Sequence, residues 1–361
     1  MKFAEFPFVI VLLVLLLGAL PAGAVDIFLS DNEITVNGFP ISEEENLVWL
    51  QRKVYPRPDL PDEMKTEPVT AVTITDKGIY HITGTLSNGQ ILVDAGNRDK
   101  IELILDGVEI SCRTAPAIMI VKAKEADKPR DAAVRITLGE GSENFLYGSH
   151  LEKEIENPSS KHFSGTISSK RSLLISGNGH LVIEAEGEGI ECKKHLTIES
   201  GNIEIHSGDD GINLDEEESS QFTMNGGSLS VLCDRDIMGD AIDSNGMIEI
   251  NGGSIILYST PNFTERGLDS FSGAHIHSGT VISAGNLLDN IFSSEPQPSI
   301  VLQFKTEPVD HFSINGVRYE FPYAYPYFTI SRPEFRGVSD YEVETEAEDY
   351  SFEVILRQAP D

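Results

Sequence analysis

The sequence predicts an all-β chain wound as a parallel β-helix, a solenoid with coils of about 22–26 residues and irregular end caps. Three features carry this prediction. A glycine turn recurs at a fixed interval, apolar residues alternate on both sides of it, and a short third strand precedes each unit.

The turns read Glu199-Ser-Gly-Asn202, Asn225-Gly-Gly-Ser228, Asn251-Gly-Gly-Ser254 and His277-Ser-Gly-Thr280. Their third residues, Gly201, Gly227, Gly253 and Gly279, are each 26 apart (227−201, 253−227, 279−253). A bend with positive φ favours a residue without a Cβ. Leu196, Ile198, Ile203 and Ile205 surround the first glycine at fixed offsets. Phe222, Met224, Leu229 and Val231 surround the second, and Ile248, Ile250, Ile255 and Leu257 the third. The fourth set is weaker: Ala274, Ile276, Val281 and Ser283. Period-two alternation gives strands with one buried face. The third strands are Glu188-Gly-Ile-Glu191, Asp209-Asp-Gly-Ile-Asn213, Gly239-Asp-Ala-Ile-Asp243 and Arg266-Gly-Leu-Asp269. A hairpin sheet needs no such repeat, and a propeller blade has four strands in a longer unit.

The remaining elements follow in chain order. Lys2, an apolar run over residues 6–20 and Ala22-Gly-Ala24 predict a signal peptide at 1–24, with cleavage after Ala24 and export to the medium or cell surface. The run is short for a membrane span, which leaves an uncleaved anchor as the alternative and the sole membrane contact. Residues 25–70 read as an N-terminal cap with an extended segment punctuated by Pro56, Pro58, Pro61 and Pro68. Trp49 is read as packing that cap onto the core, against the alternative of a sugar platform. The solenoid is placed at 71–285, its first coils less regular. Gly179 takes the turn position before Gly201, so 22 residues (201−179) look like the bare coil, with later coils carrying four more in loops. Residues 148–162 are polar and read as a surface loop or short helix. Residues 286–361 read as C-terminal strands and a cap. There the aromatic stretch from Tyr319 to Phe328 is taken as capping, with a sugar-stacking surface as the alternative. Asn262 opens a glycosylation sequon on an inserted loop.

The chain has 27 basic and 58 acidic residues, a net charge of −31, which sets nucleic acid aside as a partner. Cys112, Cys192 and Cys233 form no CxxC pair and no disulfide scaffold, and Cys192 reads as a small buried side chain. A Cys192–Cys233 bridge has no support in the pattern. The chain is read as a monomer.

Aligning the third strands on Ile167, Ile190, Ile212, Ile242 and Leu268 exposes two carboxylate columns. One residue later stand Ser168, Glu191, Asn213, Asp243 and Asp269; two residues earlier stand Gly165, Glu188, Asp210, Asp240 and Arg266, with Asp209 alongside. Stacked like charges repel. An all-oxygen set that includes an amide suits Ca2+, which takes six to eight oxygens, better than Mg2+. The candidate ligands are Asp209, Asp210, Asp240 and Asp243, then Asn213 and Asp269, then Glu188 and Glu191; solvated turn acids are the alternative. Lys170 and Lys193 stand above one another in a third column, followed by Asp215, Asn245 and Phe271. A lysine beside Ca2+ is a candidate base for polysaccharide β-elimination, against a surface lysine that balances the acids.

These stretches resemble a known family. Gly165-Thr-Ile-Ser-Ser-Lys170, Gly187-Glu-Gly-Ile-Glu-Cys-Lys193, Leu196-Thr-Ile-Glu-Ser-Gly201, Gly208-Asp-Asp-Gly-Ile212 and Met224-Asn-Gly-Gly227 are similar to the repeat of an exported carbohydrate-binding parallel β-helix family. The likeness is clearest over residues 165–257. It implies a right-handed parallel β-helix that binds calcium and cell-wall polysaccharide of cellulose or pectic type. It also suggests a likeness to calcium-dependent β-helix pectate lyases. The acidic calcium positions fall on Asp209, Asp210, Asp240 and Asp243, and the repeated lysine on Lys170 and Lys193. The third coil has Asp215 in place of that lysine, a departure that weakens the lyase reading. Three functions stay open at this point: a calcium-binding polysaccharide-binding protein, a calcium-dependent polysaccharide lyase using a lysine base, and a structural or adhesive surface protein with calcium for stability alone.

Overall fold

The computed structural model describes residues 23–55, 57, 61–62, 64, 66–124, 132–149, 163–215, 219–234, 238–261, 264–292, 297–335 and 341–355. The apolar leader, most of the polar stretch at 148–162 and the sequon at Asn262 lie outside them. The described elements are β-strands, with no helix among them. They form mixed sheets of twenty, nine and three strands, parallel through the repeats and antiparallel at the ends. No helix of the described residues is long and apolar enough to cross a membrane.

The repeats build three parallel ladders. The first runs through Ile118–Lys122, Gly165–Ser169, Glu188–Cys192, Ile212–Leu214, Ile242–Ser244 and Leu268–Ser270. The second takes Val134–Leu138, Leu173–Gly177, His195–Ile198, Gln221–Met224, Met247–Ile250 and Ala274–Ile276. The third takes Glu143–Gly148, His180–Ala185, Asn202–Ser207, Ser228–Cys233, Ser254–Tyr258 and Thr280–Gly285. Register keeps like on like: Ile190 faces Ile212, Ile198 faces Met224, and Ile205 faces Val231. All six are fully buried in one continuous core. Burying such a side chain contributes about 1.5–3 kcal/mol, and each neighbouring strand supplies the apolar wall that a single strand lacks.

The recurring glycines take the expected bend. Gly201, Gly227, Gly253 and Gly279 have φ of 110°, 81°, 90° and 100°. A Cβ on Gly227 would lie 2.4 Å from the carbonyl oxygen of Gly201, so stacking as well as φ requires glycine there. One turn differs from the sequence expectation. Before Gly201 the positive φ falls on Gly177 (107°), not Gly179. Ile175 pairs with Ile198, 23 residues on (198−175), while His180 pairs with Asn202, 22 on (202−180), so this turn is one residue longer.

The N-terminal segment is woven into the ladders. Val25–Leu29 pairs in parallel with Gly78–Leu86, extending the second ladder before residue 71. Val48–Val54 pairs antiparallel with Pro68–Ile74 and covers the first ladder's starting edge, where unpaired backbone groups would otherwise invite another chain. Gly78–Leu86 and Ile101–Ser111 each run through the second and third ladders as one strand, bending at Gly84 and Gly107. At the far end Tyr327–Ser331 pairs antiparallel with Thr280–Gly285 and ends the third ladder. Tyr319, Phe321, Tyr325 and Phe328 turn inward into a second core, and the Tyr325 hydroxyl donates to the Ser259 carbonyl at 2.9 Å. Burial gives these rings a capping role. The three cysteines are buried and free, so no Cys192–Cys233 bridge forms.

His81 ties the first strand down. Its Nδ1 meets Asp26 on Val25–Leu29 and its Nε2 meets Asp106 on Ile101–Ser111, each at 2.9 Å. Burial favours the neutral ring, but the two carboxylates outweigh it and raise its pKa. The doubly paired imidazolium is therefore fully present below the unfolded value of about 6.5 and is lost as pH rises through the higher folded value. Amide exchange in Val25–Leu29, corrected for intrinsic rate, should accelerate above neutrality in the native protein. It should already be fast and pH-flat in His81→Gln; equal protection in both proteins at every pH contradicts the staple.

Candidate functional site

The first ladder builds the carboxylate columns as its register requires. Glu191 faces Asn213, Asn213 faces Asp243, and Asp243 faces Asp269. Gly165 faces Glu188 at the head of the second column. Adjacent parallel strands lie about 4.8 Å apart, so charges in these columns meet at close range.

Part of each column is satisfied by the chain itself. The Asp240 amide donates to Asp210 Oδ1 at 2.9 Å, and the Arg266 amide donates to Asp240 Oδ1 at 2.5 Å. Each aspartate thus holds the backbone that leads into the next strand of the ladder. Glu191 is 1% exposed; its Oε2 accepts from the Ser164 amide and the Ser168 hydroxyl at 2.8 and 2.7 Å, and its Oε1 is ion-paired with Lys193. Asp269 is paired with the Arg266 guanidinium at 2.6 Å. Glu191 and Asp269, both candidate ligands in the sequence, are therefore held by cations of the chain.

The centre is different. Asn213 donates from Nδ2 to Glu188 Oε1 at 2.9 Å, yet Glu188 Oε2 and Asn213 Oδ1 are buried and meet no hydrogen-bond donor. Burial, then Glu191 and Asp209, push the Glu188 carboxyl up to about 8. Burial and the neighbouring Asp269, Glu265 and Asp243 carboxylates outweigh the Arg266 amide and raise Asp240 to about 8. Asp243 rises to about 6, chiefly through burial and then Asp269. Asp210 rises well above the ordinary range through burial, then Glu188, Asp209, Asp243 and Asp240. Among the described residues no three His, Cys, Asp or Glu side chains already close around one point in metal-binding geometry. The donor chemistry nevertheless fits a hard cation: two unpartnered oxygens, one carboxyl and one amide, lie in a cluster of carboxyl groups that a cation would let ionise together.

The lysine column is a set of cations with partners. Lys193 is paired with Glu191 and with Asp215, the residue that replaces the repeated lysine in the next coil. Burial favours its neutral form, but the two carboxylates prevail and raise its pKa. A general base must be unprotonated, so this geometry gives Lys193 a charge-balancing task. Lys170 lies 4.3 Å over the Phe163 ring.

Two features escape the sequence pattern. Asp289, buried past the last glycine turn, accepts the Leu268 amide at 2.8 Å and ends the first ladder as Asp240 holds Arg266. The second feature is a group of cations at the start of the second ladder; its members share no motif.

An all-β protein with one strongly acidic parallel ladder is the class that fold and site define. A family model described as carbohydrate-binding domain-containing protein matches residues 69–294, and the chain belongs to that family. A carbohydrate-binding domain-containing protein of Acetivibrio thermocellus is 36% identical over 135 residues, 37% of this chain and 44% of the relative. The chain thus spans under half of that relative's length. Among solved structures, the polysaccharide lyase-like protein from C. thermocellum, determined as a gadolinium derivative, is 22% identical with a TM-score of 0.48. That match covers 71% of this chain and 83% of the other.

The raised carboxyls set a pH dependence. Their folded pKa values exceed the unfolded values of about 4, so the folded state holds protons that the unfolded chain has released. Their contribution is therefore best below about pH 4 and declines as pH rises through about 6 for Asp243 and about 8 for Glu188 and Asp240. In chelator, the melting temperature of Asp210→Asn should exceed that of the native protein, with the gap widening from about pH 5 to about pH 8. The amide keeps the acceptor for the Asp240 amide and removes one charge. A gap that is absent or shrinks with pH contradicts the crowding.

Proposed function

We propose that this is an exported polysaccharide-binding protein whose ladders wind as a right-handed parallel β-helix and whose carboxylate columns hold Ca2+. One observation carries the reading. The segment 69–294, which places the chain in the carbohydrate-binding family, also contains the registered carboxylates and the two unpartnered oxygens of Glu188 and Asn213. Glu188, Asn213, Asp209, Asp210, Asp240 and Asp243 would hold the ion, with Glu191 and Asp269 kept in place behind them by Lys193 and Arg266. A bound divalent cation would relieve the repulsion and offer open coordination positions to a sugar oxygen or a uronate carboxylate. The chain's own residues align the donors through strand register and through the amides that fix Asp210 and Asp240. The ligand class is a cell-wall glycan, cellulose-like or pectic.

The test mixes the full chain with polygalacturonate and with cellulose, in calcium and in EDTA. Pull-down is followed together with the ultraviolet absorbance of unsaturated product. Binding in calcium that weakens at least about tenfold in EDTA, with no absorbance, is expected. Absorbance that EDTA abolishes would replace this reading with a lyase and make Lys193 and Lys170 the residues to substitute. Failure to bind either polymer would leave calcium as a structural staple.

A further inference from the structure

In a chain of charge −31, the described residues include a concentrated group of cations at the surface. A cavity of about 500 Å³ opens where the second ladder begins, bordered by Lys77, Arg98, Lys100 and Arg135, with one carboxylate, Glu102. Register assembles it. Ile79 faces Glu102, Glu102 faces Arg135, and Arg135 faces Leu174, so these four side chains form a row across four strands. Lys77 and Lys100 stand level beside that row, each one residue before the paired Gly78 and Ile101. All four cations are exposed, and Leu174 and Ile79 form an aliphatic floor.

Glu102 is the one acid among the described lining residues, against four cations. Glu102 accepts the Thr137 hydroxyl at 2.7 Å. Asp76 and Asp99 accept backbone amides of Lys77 and Gly96 at 2.8 and 2.7 Å, and neither lines the cavity.

We propose that this cavity binds an anionic sugar ring of a polysaccharide directly, without a bridging metal ion; the proposal rests on the polysaccharide reading above. The ring's apolar face lies on Ile79 and Leu174. Its carboxylate or sulfate lies among Arg98, Lys100 and Arg135, where a guanidinium can meet it in a two-pronged pair. The aliphatic floor offers no ring for a nucleobase to stack on, which favours a sugar over single-stranded nucleic acid.

The test measures binding in EDTA by the full chain and by Lys100→Glu/Arg135→Glu. The ligands are polygalacturonate, dextran sulfate, a neutral cello-oligosaccharide and an oligonucleotide. The native protein should bind an anionic glycan in EDTA, and the affinity should fall at least about tenfold between about 20 and about 200 mM salt. The reversed-charge variant should lose at least about tenfold at the lower salt while Lys100→Arg/Arg135→Lys retains binding. The anionic polymer that suffers the larger loss identifies the carboxylate or the sulfate as the recognised group. Unchanged binding in a folded reversed-charge variant overturns the proposal, as does complete loss of native binding in EDTA. Either result leaves calcium-dependent glycan binding standing. Tighter binding of the oligonucleotide than of both glycans also overturns it. If the native protein binds no polysaccharide in calcium or EDTA, the proposed function falls, and this proposal with it.

Discussion

In-register parallel pairing is the constraint on which the structure depends. Once Ile190, Ile212, Ile242 and Leu268 lie over one another, every residue at a given offset from them lies over its counterparts too. A slip of one residue would turn the apolar set outward and lose the core, so the register is tightly held. The same stacking that builds the core brings glycine onto glycine at the turns and carboxylate onto carboxylate on the first ladder.

Stacked carboxylates repel, and the chain offsets this in three ways. Asp210 and Asp240 take up the amides of the coil beyond, so their charge also fixes the position of the next strand. Glu191 and Asp269 receive a cation from the chain, Lys193 and Arg266. Glu188 and Asn213 keep oxygens that the chain leaves without a donor. On the proposed reading the third group is where the metal ion enters, and the first two groups hold its surroundings rigid.

The repeat was legible because it is periodic. Gly201, Gly227, Gly253 and Gly279 announce the turns, and the apolar alternation announces the ladders and their register, hence the columns containing Glu191, Asn213, Asp243 and Asp269. Legibility failed where the signal was local or long-range. Gly177 and Gly179 flank Asn178, and composition alone does not say which glycine takes the positive φ. Val25–Leu29 joins the second ladder through a partner more than fifty residues away (80−25 for Val25 and Tyr80), with no glycine motif to mark it. The columns could be counted, but how each carboxylate is satisfied depends on turn geometry. Glu191 and Asp243 share one column, yet one is paired with a lysine and the other is crowded by acids. Lys77, Lys100 and Arg135 are far apart in sequence, and only the register places them around one cavity.

The most direct test is a crystal structure of the full chain grown in calcium, inspected at Glu188, Asn213 and the aspartates around them. The account predicts an ion there, bound to Glu188 Oε2 and Asn213 Oδ1 and to further carboxylate oxygens at about 2.3–2.6 Å, with the strand register unchanged. Water alone on those two oxygens at saturating calcium, with the carboxylates in their present hydrogen bonds, would contradict it.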